Sequence, residues 1–114
     1  MTLDELLNAL RNSTPLDFNE TIATIERYYA FTPCGFRNGA LSNAPGQNSG
    51  SCKVFAFARA QQLNEQQTLH CFGQYYRDVL QNPQGNDHQN IRNFIQFGWS
   101  GIKFDQEPLS LLTP

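Results

Sequence analysis

Apolar residues recur along this chain with two different periods, and the changes of period mark out its elements. Leu3, Leu6, Leu7 and Leu10 fall on one helical face. Thr2, with Glu5 three residues on, forms a capping box, and Asn12-Ser13-Thr14-Pro15 stops the run. These signals predict a helix over residues 2–12. Asp17 and Glu20 open a second helix, with Phe18, Ile22, Ile25 and Tyr29 as its stripe. Residues 31–51 lose the helical period and are rich in Gly, Pro, Asn and Ser. Within them Phe36-Arg37 and Ala40-Leu41 flank Asn38-Gly39, the two-residue signal of a tight hairpin. Residues 43–50 are left as a loop.

The helical period then returns. Residues 51–62 read as a third helix, apolar on all sides from Val54 to Ala58, which predicts burial at the centre of the domain. Asn64 with Gln67 caps a fourth helix, striped by Leu69, Phe72, Tyr76 and Val79. Asn82-Pro83-Gln84-Gly85-Asn86 breaks it. Asp87 is the expected cap of a fifth helix, with Ile91, Phe94 and Ile95 inward and Gly98 at its end. Ile102 and Phe104 alternate with Lys103 and Asp105, the period of a strand that could join the hairpin. The tail is expected to be pinned by Leu109, Leu111 or Leu112, or else frayed. The pattern describes one α+β domain over residues 1–114. It is mainly helical, with about five helices and a small antiparallel β-sheet.

Composition sharpens this picture. Only 16% of the 114 residues are charged, against roughly 25% in typical soluble domains. Eleven Asn and eleven Gln supply the polar surface instead. A net charge of -2 excludes a strongly basic nucleic-acid binder or a polybasic membrane anchor. With two lysines, an aromatic nucleic-acid platform lacks its cations. The longest apolar runs fall far short of a ~20-residue membrane span. The first residues lack the basic-then-apolar order of a signal peptide. Cys34, Cys52 and Cys71 are odd in number and widely spaced, which predicts free thiols and a reducing compartment. With His70 and His88 at no standard ligand spacing, neither a metal nor another cofactor is expected.

Three features could support chemistry. Cys52 follows Gly50-Ser51 at a predicted helix start, where the dipole would favour a thiolate. Gln47 could donate to an oxyanion and His88 could act as base, with Asn90 orienting it. That is the outline of a thiol hydrolase, although the spacing is one residue short and Lys53 replaces the usual aromatic. The alternative is a small buried residue in an apolar helix. Second, Gly46-Gln47-Asn48-Ser49-Gly50-Ser51 and Gly85-Asn86-Asp87-His88-Gln89-Asn90 both lead into helices. Free backbone N–H groups at such starts can hold an anion or a polar group. If the two loops meet, Gln47, Asn48, Ser49, Ser51, Lys53, His88, Asn90, Arg92, Asn93 and Arg37 would line one ligand site. Third, residues 30–103 balance at +3 while residues 1–29 balance at -3, so this opening is expected to be positive. The plain alternative is two ordinary helix starts with solvated amides.

The stretches FRNGAL, GQNSGSCKVFAFA, FGQYYRDVL and DHQNIRNFIQFGWSGIKFD resemble the HopJ type III effector family over about residues 2–108. The resemblance implies relatives assigned to type III secretion, and no catalytic residues come with it. Secretion leaders are unfolded and poor in acidic residues, whereas Asp4, Glu5 and the Leu stripe describe a folded helix. The sequence therefore leads us to expect a small cytoplasmic bacterial protein that binds a polar or anionic ligand or a protein partner. The alternatives are a thiol hydrolase and an effector secreted into a host cell.

Overall fold

The computed structural model describes residues 1–112. Helix α1 spans Leu3–Arg11 and α2 spans Phe18–Tyr28. Strand β1 (Tyr29–Phe31) follows directly, then the hairpin strands β2 (Phe36–Asn38) and β3 (Leu41–Asn43). Helix α3 runs Ser49–Ala60, α4 Glu65–His70, α5 Gln74–Gln81 and α6 Gln89–Phe97. A 3-10 turn at Gly98–Gly101 leads into β4 (Ile102–Phe104), and β5 is Leu109–Leu111. Among the described residues the fold is a mixed α+β domain with six helices and two small antiparallel sheets.

Local signals account for most of these starts. Capping boxes form at Thr2/Glu5, Asp17/Glu20 and Asn64/Gln67, each with both reciprocal hydrogen bonds. A hairpin forms, but its two-residue turn is Gly39-Ala40 and not Asn38-Gly39. Asn38 ends β2 opposite Leu41, its side chain buried and donating to Asn90, and of these three residues only Gly39 has a positive φ. Strand β4 pairs with β2 so that Phe36 faces Phe104 and Asn38 faces Ile102. The strand order β3-β2-β4 puts β2 in the middle.

Four further expectations are corrected. The fourth helix is two, because Gly73 adopts φ +57 and ends the run. A Cβ there would lie 2.6 Å from Phe18 N and 2.7 Å from Leu16 O, so only glycine lets the chain before α2 pass this close. Helix α3 starts at Ser49 and ends at Ala60, not 51–62. The cap of α6 is His88, not Asp87. Ile95 is 48% exposed instead of inward. The tail is pinned by Leu109 through a second sheet, β1 with β5, while Leu111 and Leu112 face solvent.

Helix α3 crosses the centre. Val54, Phe55, Ala56, Phe57 and Ala58 have no exposed surface. Phe55 meets the rings of Phe36, Phe72, Phe94 and Trp99. Helices α2 and α4 and strand β5 pack against it, which holds its first turn in place at one end of the core.

A cleft where two helix starts meet

Each amide-rich loop delivers its helix start in the same unusual way. Asn48, the cap of α3, is left-handed at φ 53, ψ 44, and His88, the cap of α6, at φ 49, ψ 49. Asn tolerates this region and other residues adopt it at a cost, often at functional positions. Neither cap side chain bonds to its own helix. The first N–H groups of a helix have no intrahelical partner. Thr2, Asp17 and Asn64 cap α1, α2 and α4 with their side chains; α3 and α6 have no such cap.

The Asn48 side chain is engaged elsewhere. Its amide donates to Asn43 Oδ1 at 2.7 Å. Asn43 Oδ1 also accepts from Asn90 Nδ2 at 3.0 Å. Asn90 Oδ1 accepts from Asn38 Nδ2 at 3.0 Å and from Asn43 Nδ2 at 3.3 Å. Asn93 Nδ2 donates to Asn38 O at 2.8 Å. Asn38, Asn43 and Asn90 are buried. This chain of amides ties the hairpin, the start of α3 and the start of α6 into one unit. Buried polar groups linked this way fix relative geometry, because a shift of any member leaves the others unpaired in a low-dielectric interior.

The two starts line one open cleft of about 560 Å³. Asn48, Gly50 and Ser51 form one side, and His88, Gln89 and Asn90 the other. Phe18, Leu41, Phe72, Tyr75 and Ile91 supply an apolar wall. Phe18 stacks on Phe72 at 6.1 Å and meets Tyr75 at 5.1 Å, and Tyr75 lies 5.3 Å from the His88 ring. The aromatic row is therefore continuous from the core to His88. Phe18 comes close enough that a Cβ on Gly50 would lie 2.8 Å from its ring, which presses the α3 start against the aromatic row. His88 Nε2 stands 3.7 Å from Asp78 Oδ2 and 3.9 Å from Asp87 Oδ2.

The structure brings Asn48, Ser51, His88 and Asn90 to this cleft, and Ser49 to its α3 edge, but not the cations. Lys53 Nζ pairs with Glu26 at 3.2 Å and lies over the Phe31 ring. Arg92 turns back on its own loop, 2.7 Å from Asp87 Oδ1. That hydrogen bond holds the Asp87 carboxyl below the usual range. Arg37 lies on the outer face of β2. Asn93 belongs to the buried amide chain, and Gln47 accepts from Ala44 N within its own turn at 3.0 Å. The expected ring of positive charge is thus absent, and His88 stands beside two carboxylates, those of Asp78 and Asp87.

Cys52 is also corrected. One residue beyond Ser51, it is rotated into the core and is 1% exposed. Burial, then the neighbouring Cys34, pushes its thiol up to about 12. An attacking thiolate needs the opposite shift. Cys34, Cys52 and Cys71 are all free and buried. Among the described residues no group of three His, Cys, Asp or Glu side chains could hold a metal. His70, half-buried, borders a separate cavity of about 140 Å³. Sequence reasoning missed Phe18, Leu41, Phe72 and Tyr75 as cleft residues. Tyr75 had a signal: it falls off the Leu69–Phe72–Tyr76–Val79 stripe.

The fold and cleft define a small six-helix α+β domain whose two central helix starts share an aromatic-walled opening. The chain belongs to the HopJ type III effector protein family, whose model matches residues 3–109. It is similar to a protein described as unknown function protein VPA0580, known from a crystal structure. The two share 48% identity with a TM-score of 0.93, over 98% of this chain and 95% of that one. No curated protein matches the chain. Among the described residues no helix is long and apolar enough to cross a membrane.

Proposed function

We propose that this HopJ-family protein binds a small molecule with a flat apolar body and a polar or anionic head, in the cleft between α3 and α6. The convergence of two uncapped helix starts on one aromatic-walled cleft supports this reading most strongly. Its volume falls within the range of small-ligand pockets, roughly 300–1,000 Å³. The body would lie along Phe18, Tyr75 and His88. The head would take N–H groups of the two first turns, whose dipoles favour negative charge. Binding needs no catalytic group, and the buried Cys52 offers none.

Benzoate is a suitable probe. Titrated into labelled protein, it should shift the amide resonances of Asn48–Ser51, Tyr75 and His88–Ile91 in a saturating way, with benzamide binding more weakly. No shifts at millimolar benzoate, or shifts scattered over the surface, would show that the two starts are ordinary helix entries.

The free thiols fit a reducing compartment. The bacterial cytoplasm, our first reading, meets that condition, and so does the interior of a host cell. The family description supports delivery to the latter as a second reading. Appearance of the protein in culture supernatant only when a type III system is intact would favour delivery; retention in both strains would favour a resident role.

A further inference from the structure

A second polar surface lies on the three-stranded sheet, away from the cleft. In β2, Arg37 stands directly opposite Lys103 of β4 and Ser42 of β3. Side chains alternate along a strand, so Phe36, Asn38, Ile102 and Phe104 point inward while Arg37 and Lys103 share the outer face. Like charges directly opposite one another destabilise a sheet. Among the described residues neither cation has a carboxylate within salt-bridge distance. Asp105, two residues after Lys103 and just past the end of β4, is turned onto Gly35.

A lysine on an edge strand has a simple role, since it blocks pairing with another sheet. That role explains Lys103 on β4. It does not explain Arg37, because β2 is the central strand. The pair also lines a cavity of about 360 Å³ with Gly39, Gly101, Ser100 and Phe97. The two glycines lie against each other and against Phe97, where a Cβ on either would crowd its neighbours. Phe97 packs on Gly39 and is 43% exposed, so its ring is available at this opening. Two cations and an exposed ring thus face one opening on a protein whose net charge is -2.

We propose that Arg37 and Lys103 form a binding site for a phosphate-type dianion attached to a flat apolar group. The Arg37 guanidinium offers a planar fork for two oxygens, and Lys103 adds a point charge. The Phe97 ring supports the apolar part. The anion relieves the repulsion that the bare sheet face bears. This site is distinct from the cleft and does not depend on it.

Phenyl phosphate and inorganic phosphate are the probes, each titrated into the labelled full chain at low salt. Phenyl phosphate should shift residues 37–40 and 97–103 and saturate, binding more tightly than inorganic phosphate. Phe97→Ser should remove that preference. Arg37→Gln and Lys103→Gln should each weaken phenyl phosphate by about tenfold or more. Neither variant should melt below the parent, because each removes a like-charge contact; a purely structural role would lower the midpoint instead. Response at Asn48–Ser51 and His88–Ile91 in place of the sheet face, or unchanged binding in both variants, would overturn the proposal, and benzoate binding at the cleft would stand either way.

Discussion

Phe55→Ala is expected to destabilise the protein by about 3–5 kcal/mol. Phe55 has no exposed surface, and its ring lies 6.1 Å from Phe36, 5.4 Å from Phe72, 5.1 Å from Phe94 and 6.5 Å from Trp99. Those partners come from β2, the α4–α5 turn, α6 and the 3-10 turn. Truncation removes the lost transfer energy and leaves a cavity that four separate elements cannot collapse to fill. Leu80→Ala is the control: Leu80 is exposed, so its loss should stay within about 0.5 kcal/mol. Denaturant midpoints measure both. Equal shifts for the two variants would mean that α3 is not the centre of the core.

Stability should also fall steeply once the pH passes about 9. The Cys52 and Cys71 thiols have an ordinary value of 9.0 and are pushed up to about 12 in the fold. Burial is the chief cause for Cys52 and the cause for Cys71. The folded value lies above the unfolded one, so the sign is fixed. Below pH 9 both states hold the protons and the full stability is present. Between 9 and 12 only the unfolded chain releases them, and stability is lost as pH rises. Each thiol removes on the order of 1 kcal/mol per pH unit in that window, so a few units weigh heavily against a domain stability of about 5–15 kcal/mol. Urea midpoints from about pH 8 to pH 11 measure the slope. Cys71→Ala should reduce it by about half; an unchanged slope would contradict the burial assigned to these thiols.

Much of this architecture is legible in local sequence. The capping boxes at Thr2, Asp17 and Asn64 need only residues three apart, so nothing distant can overrule them. The Gly39 turn and the Ile102/Phe104 alternation likewise place the hairpin and its third strand. The turn falls at Gly39-Ala40, one residue beyond the Asn38-Gly39 reading, because Asn38 is held in β2 by its buried bond to Asn90. What could not be read depends on distant partners. The stripe from Leu69 to Val79 runs unbroken through Gly73, and only the backbone at Leu16–Phe18 forces the break. Ile95 fits an apolar period, yet burying Asn90 in the amide chain turns the inward face of α6 towards Asn90, Ile91 and Phe94. Ile95 is then left at the edge. At the cleft, the meeting of the two amide-rich starts follows the sequence reading, but its charge does not. Long cations reach to whatever carboxylate is near: Lys53 finds Glu26 on α2, and Arg92 finds Asp87 in its own loop. The aromatic row was hidden because Phe18 belongs to α2, and only the fold brings it against Phe72 and Tyr75.

The most direct test of the central claim is a crystal structure of the full chain soaked with benzoate. The account predicts density between the first turns of α3 and α6, its ring along Phe18 and Tyr75 and its carboxylate toward the N–H groups of Ser49–Ser51 or Gln89–Ile91. Density seated elsewhere, or an unliganded cleft at saturating benzoate, would contradict it.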